Sequence, residues 1–226
     1  MKARNSAAAS AAVADLEPPS LRARAYEEIK RRIITLQYRP GEYLNEAMIS
    51  EQLGIGRTPV HQALDRLMLE DMVEVIPRKG VIVRPVSLDE VLQLIEVRLV
   101  NETHCVALAA QRATEAEIDE LAAILGPTQT LIDLRDIEGL MLLDRNFHAG
   151  ISAAAKNRVL ANILLTLHER SLRFWFISLS DEAHLIEVRD QHVDIHNAIR
   201  ARDPAAASQA MREHIESFRQ NIMKSV

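Results

Sequence analysis

The chain has 226 residues, 48% hydrophobic and 26% charged, with a formal net charge of −5. No apolar run is long enough to span a bilayer, which excludes a helical membrane protein. The single cysteine, Cys105, excludes an internal disulfide, and the start of the chain lacks a secretory pattern, so a cytoplasmic protein is expected. Charge is unevenly spread. Residues 1–86 carry 13 Lys/Arg against 11 Asp/Glu, and residues 87–226 carry 14 against 21. A basic-leaning front joined to an acidic remainder suits a nucleic-acid reader attached to a second unit.

Residues 1–20, rich in Ala and Ser and ending near Pro18-Pro19, read as a disordered tail. Tyr26, Ile29, Ile33 and Ile34 then recur at helical spacing until Arg39-Pro40-Gly41. A second helix ends in Leu53-Gly54, and a tight turn runs through Ile55-Gly56. A third helix opens on Thr58-Pro59, with Thr58 placed to cap and Pro59 in the first helical position. Two short helices joined by a glycine turn form either an ordinary corner or a helix-turn-helix, whose second helix enters the DNA major groove. Val73–Ile76 and Val81–Val83 read as strands, and Pro77-Arg78-Lys79-Gly80 between them is a basic hairpin tip. The sequence therefore predicts a winged helix over 21–85.

From residue 86 onward the strand signal disappears, and six helices are expected at about 88–112, 115–134, 136–154, 157–179, 181–201 and 204–224. Ser87 to Glu90 and Thr114 to Glu117 have capping-box spacing, Asp203-Pro204 reads as a cap, and Gly126-Pro127 kinks or splits the second helix. The fold class is mainly α: an N-terminal winged helix-turn-helix followed by an antiparallel helical bundle over 86–226. Asp144 and His148 are four residues apart and share a helix face, as do His192 and His196, while His214 lies on the last helix. Such groups either serve separately as core or surface side chains, or converge on a divalent ion. Nitrogen-rich ligation suits Zn, Ni, Cu, Fe or Mn better than Mg or Ca.

The corner resembles the DNA-binding domain of the GntR superfamily through Leu53, Gly54, Arg57, Thr58, Pro59, Val60, Ala63 and Leu64. Three residues depart from that pattern: Gly56 for Ser or Thr, His61 for Arg, and Asp71 for Gly. A histidine at position 61 replaces a permanent bidentate cation with a group that is mostly neutral near pH 7, so operator preference should differ from the common type. Asp144-Arg145-Asn146-Phe147-His148, together with Gln191-His192 and His214, is similar to the FCD domain of FadR-type members. A count of six helices points to the VanR-like branch. The resemblance implies metal ligands at Asp144, His148, His192 and His214. Glu96-Val97-Arg98 with Glu102 matches a pattern whose Arg points to the pocket; the alternative is a buried Arg98–Glu102 pair.

These features lead to the expectation of a non-enzymatic, ligand-responsive transcriptional regulator, a repressor rather than an activator. The expected partners are a double-stranded DNA operator, a small carboxylate effector and a second copy of the chain as a homodimer, with no membrane. DNA contacts are expected at Arg57, Thr58, His61, Lys79 and Gly80. A divalent metal, Zn first with Ni or Mn as alternatives, is expected to take the effector, with Arg98 and His196 lining the site. A metal-responsive regulator and a metal-dependent enzyme are the competing classes. The latter is disfavoured because no nucleophile–base pair or phosphate-binding loop is evident.

Overall fold

The computed structural model describes residues 19–77, 80–85, 87–178 and 182–225, with side-chain detail omitted at a few of these positions. Most of the expected tail, and Arg78 and Lys79 at the wing tip, lie outside the described residues. Helix α1, Leu21–Ile34, begins where the Ser20 hydroxyl accepts the Ala23 N–H at 3.2 Å. Its buried Ala25, Tyr26, Ile29 and Ile33 form the face that packs on α3. Strand β1, Tyr43–Leu44, was not expected, since two residues carry no periodic signal. It pairs with β3, Gly80–Val83, which also pairs with β2, Val73–Ile76. The wing is thus an antiparallel three-stranded sheet in the order β1-β3-β2.

Helix α2, Glu46–Leu53, is capped by Asn45, whose Oδ1 accepts from Ala47 N at 2.9 Å. It ends on Gly54 in the left-handed region, at φ 61 and ψ 29, and the Ile55 N–H returns to the Ser50 carbonyl at 3.1 Å. Helix α3 spans Arg57–Leu69, starting earlier than Thr58-Pro59 implied. Gly56, not Thr58, is the N-cap, and it gives no side-chain cap bond. Pro59 remains compatible because first-turn N–H groups have no intrahelical acceptor. Val60, Ala63, Leu64 and Leu67 bury one face of α3, leaving Arg57, Thr58, His61 and Asp65 on the exposed side.

Asp71, just after α3, has φ 58, which explains why a glycine is usual there. Aspartate tolerates this conformation better than most side chains, and here its carboxylate gains two guanidinium partners. Arg84 Nη1 lies 2.6 Å from Oδ1, and Arg170 Nη2 lies 3.0 Å from Oδ2.

The remainder of the chain is helical: α4 Leu88–Arg112, α5 Glu115–Leu125, α6 Thr128–Asp133, α7 Ile137–Ala154, α8 Arg158–Ser178, α9 Glu182–Arg200 and α10 Pro204–Ser225. The described residues thus contain seven helices here rather than six, because Gly126 ends α5 and Pro127 precedes α6. The count that pointed to the VanR-like branch therefore does not hold. Thr114 and Glu117 form the expected reciprocal capping box. Asp203 Oδ1 accepts from Ala205 N and Ala206 N at 3.0 Å each, capping α10 as anticipated. Ser87 accepts from Glu90 N at 3.4 Å, while the Glu90 carboxylate lies 3.2 Å from Arg170. Helix α10 packs along α4 and α9, and α7, α8 and α9 surround the remaining side of α4.

A Cβ built on Gly54 meets no atom within 4 Å, so only its backbone conformation demands glycine. Gly54→Ala should destabilise the fold by about 1 kcal/mol, the left-handed penalty for an L-residue. Chemical denaturation should show a lower midpoint with an unchanged slope; an unchanged midpoint would contradict this role.

Candidate metal centre and DNA-reading face

The bundle brings together the four ligands implied by the resemblance. Asp144 and His148 project from α7, His192 from α9 and His214 from α10, and all four are buried. One candidate ligand atom from each can be chosen so that all lie within 4.8 Å of one another. His192 Nε2 lies 3.2 Å and His148 Nε2 3.7 Å from the same oxygen, Asp144 Oδ1. The rings of His192 and His214 are 4.8 Å apart, and those of His148 and His214 are 5.4 Å apart.

Asp144 Oδ1, His148 Nε2 and His192 Nε2 are buried and have no hydrogen-bond partner among the described residues. Three convergent unsatisfied polar atoms are costly unless something polar lies between them, and a divalent cation fits that donor set. The other ring nitrogens support the same arrangement. His148 Nδ1 lies 2.9 Å from Glu102 Oε2, and His214 Nδ1 lies 3.0 Å from Gln191 Oε1. Such outer contacts fix ring orientation and leave Nε2 for a ligand.

The electrostatics of three of the four groups agree with ligation. Burial pushes the Asp144 carboxyl up, but the His148 charge and the nearby His168 and His192 outweigh it, holding Asp144 well below the usual carboxylate range. Burial lowers His192, and it lowers His214 strongly, with neighbouring imidazoles adding to the effect. Burial also disfavours the His148 cation, yet Asp144 and Glu102 prevail and raise its pKa. An ionised Asp144 with His192 and His214 shifted toward their neutral forms is the state that metal ligation requires, whereas His148 is held toward its cation by its two carboxylate neighbours.

Arg98 and His196 do not join this cluster. Arg98 Nε donates to Glu102 Oε1 at 2.5 Å, and its guanidinium lies 5.5 Å from the Phe218 ring centroid. The buried-pair alternative thus describes Arg98. His196 is buried with Nε2 3.1 Å from the Ile118 carbonyl of α5, so its polar edge is taken up within the bundle. Cys105 is also buried and is pushed up to about 11 by that burial, which leaves its thiol unreactive.

Two further residues are prominent here: Glu102, expected only as a partner of Arg98, and His168, which the sequence did not single out. Glu102 bridges Arg98 and His148, and its carboxyl is held well below its ordinary range: burial raises it, but Arg98 and His148 outweigh burial. His168 on α8 places Nε2 3.2 Å from Asp144 Oδ2, and its ring lies 5.0 Å from that of His148. A cavity of about 210 Å³ opens beside the cluster, lined by Glu102, His148, Ser152, Asn162, His168 and Met211 among others. A larger recess of about 940 Å³ lies between α1 and α7, away from the imidazoles.

On the winged helix, Arg57 is exposed at the start of α3 and has no ion-pair partner among the described residues, and Thr58 lies exposed beside it. His61 Nδ1 lies 2.8 Å from Glu46 Oε1, and Nε2 lies 3.7 Å from Asp65 Oδ2. The Glu46 contact, aided by Asp65, raises the His61 pKa above its ordinary value. Gly80 is exposed with φ 100, while Lys79 lies outside the described residues.

The two units meet through ion pairs. Glu169 of α8 contacts Lys30 of α1, and its Oε1 lies 2.6 Å from Arg145. Lys30 also reaches Glu70, the residue that ends α3, at 3.1 Å. Arg31 pairs with Glu138 at 3.0 Å. Removing Arg98 would leave Glu102 as a buried charge short of its main partner, so Arg98→Ala should cost about 3 kcal/mol of stability. Denaturant titration checks this, and a loss below about 1 kcal/mol, the usual range of an exposed pair, would contradict it.

Family models of the bacterial regulatory proteins of the gntR family match residues 21–83, and those of the FCD domain match residues 93–217. The Nta operon transcriptional regulator of Aminobacter aminovorans is 32% identical over 158 residues, covering 67% of this chain and 74% of that protein. The HTH-type transcriptional repressor RspR of Escherichia coli K12 is 24% identical over 197 residues, covering 87% of this chain and 86% of that one. Among solved structures, E. coli McbR/YncC matches with a TM-score of 0.79 at 24% identity, over 92% of this chain and 98% of that one. No described helix is long and apolar enough to cross a membrane. Together the two matched domains place the chain in the gntR family of DNA-binding transcriptional regulators, with an FCD effector-binding domain behind its winged helix.

Proposed function

We propose that this chain is a homodimeric, acid-responsive repressor. In this reading a divalent metal is held by Asp144, His148, His192 and His214, and a small carboxylate effector enters the adjacent cavity of about 210 Å³. The observation that carries it is the convergence of those four buried side chains from three helices, with three of their polar atoms otherwise unsatisfied. Three imidazole nitrogens and one carboxylate oxygen suit Zn first, with Ni or Mn as alternatives. When bound, the metal supplies positive charge that draws an anionic effector into a buried site. Repression is supported by the names of the relatives RspR and GlaR, both called transcriptional repressors.

The chain's own residues provide the coupling. An effector shifts DNA affinity only by its different affinities for two arrangements of the molecule. Helix α8 touches the cluster at His168, Lys30 at Glu169, and Asp71 at Arg170. A small shift of α8 would therefore act on the end of α3 directly through Asp71 and, by way of Lys30, through Glu70. In a dimer, this resets the fit of two winged helices to an inverted-repeat operator. Arg57 and Thr58 meet the operator at the start of α3, His61 one turn on, and Lys79 with Gly80 from the wing.

Two variants test both halves. His192→Ala combined with His214→Ala should reduce bound metal from about one per chain to near zero and abolish the operator response to carboxylates. Arg57→Ala should keep the metal and weaken operator binding about 10- to 100-fold in mobility-shift assays. Metal retained by the double variant, or unchanged operator affinity in the other, would overturn the corresponding half.

A pH titration tests His61. Its raised pKa keeps the cation present above the ordinary histidine range, and that charge is lost as pH rises through the shifted value. Operator affinity should fall as pH rises above the ordinary histidine value of about 6.5, and His61→Gln should flatten that fall. An equal slope in wild type and His61→Gln would contradict a charged contact.

A further inference from the structure

His168 lies outside the set of four and is 7% exposed, and neither of its ring nitrogens has a hydrogen-bond partner among the described residues. An unsatisfied buried imidazole costs stability unless a partner arrives. Its placement is specific. His148 and His192 converge on Asp144 Oδ1, whereas His168 Nε2 faces the other oxygen, Oδ2, at 3.2 Å. That contact is near in distance but off the line of a hydrogen bond. His168 also lines the cavity of about 210 Å³ that opens beside His148.

These positions separate His168 from the ligands. Its Nε2 lies beside the Asp144 oxygen that the other imidazoles do not approach, where a small ring rotation would let it orient the ligand carboxylate. A neutral ring that donates from Nε2 has Nδ1 left as an acceptor. A carboxylate has no proton to give such an acceptor, but a hydroxyl does. Of the other polar lining groups, Glu102 lies against Arg98 and His148, Arg145 pairs with Glu169, and Asn162 is exposed. Ser152 Oγ is already committed to the His148 carbonyl, and Cys105, Ile151, Leu164 and Met211 are apolar or weakly polar.

We propose that His168 is a specificity residue of this site, holding Asp144 through Nε2 and accepting a hydroxyl of a hydroxy-acid effector at Nδ1. The proposal rests on the reading of the cluster as a metal-and-carboxylate site. It makes that site selective for hydroxy acids over the corresponding simple acids. The selectivity comes from one buried acceptor that is left unpaired when the hydroxyl is missing, a penalty of about tenfold in affinity.

Glycolate and acetate, which differ by one hydroxyl, are suitable probes for the Co(II)-loaded full-length protein, read by the visible Co(II) bands. Wild type should bind glycolate more tightly than acetate. His168→Phe, which keeps the ring volume without its nitrogens, and His168→Ala should both retain about one Co(II) per chain. In both, the glycolate-over-acetate preference should fall about tenfold while acetate affinity stays within about twofold. An unchanged preference in His168→Phe would overturn the role of His168. Loss of Co(II) from both variants would overturn it too, since His168 would then be a ligand. If wild type binds Co(II) but responds to neither acid, the carboxylate reading beneath the proposal fails instead.

Discussion

The bundle is organised around the burial of one carboxylate. Asp144 is 3% exposed, and an ionised group that deep is tolerated only when several partners surround it. Helix α7 supplies Asp144 and His148, α8 supplies His168, α9 supplies His192, and α10 supplies His214. Helix α4 adds Glu102, which meets His148 on one side and Arg98 on the other. Five helices therefore have to be in register for Asp144 to remain charged. Fully buried Phe147, whose ring lies 4.8 Å from that of His192, helps exclude the water that would otherwise weaken those contacts.

The same polar layer reaches the DNA-reading unit through α8. His168, Glu169 and Arg170 are consecutive, yet they contact the Asp144 cluster, Lys30 and Asp71 respectively. Asp71 shows how a departure from a family pattern can be accommodated. Its backbone holds a left-handed conformation that favours glycine, and its carboxylate joins Arg84 of the connector to Arg170 of the bundle. Ion pairs dominate the named contacts between the units, and partly exposed pairs rearrange more readily than an apolar interface. Such a junction can change geometry without unfolding either side.

Much of this was legible in the sequence because the signals were local. Gly54 marks a left-handed helix end, Asp144 and His148 share a face by their spacing, and Thr114 with Glu117 spells a capping box. What escaped was non-local or too short. His168 has no motif and no close imidazole neighbour in sequence, and its relevance depends on α8 packing against α7. Arg98 carried two readings that only packing could separate. His196 shares a face with His192, but the neighbouring α5 carbonyl of Ile118 takes its ring nitrogen. Strand β1 exists only because β3 offers it an edge, and Thr58 lost the cap to Gly56 because α3 begins earlier than Pro59 suggested.

The central claim is that a metal ion sits among Asp144, His148, His192 and His214. Diffraction at the absorption edge of the metal that co-purifies with the protein tests it most directly. The account predicts one anomalous peak per chain within bonding distance of those four side chains, about 2.0–2.2 Å from the nearest nitrogens and oxygen if the ion is zinc. Crystals grown with excess metal that show no peak there, while the four residues keep their positions, would contradict it.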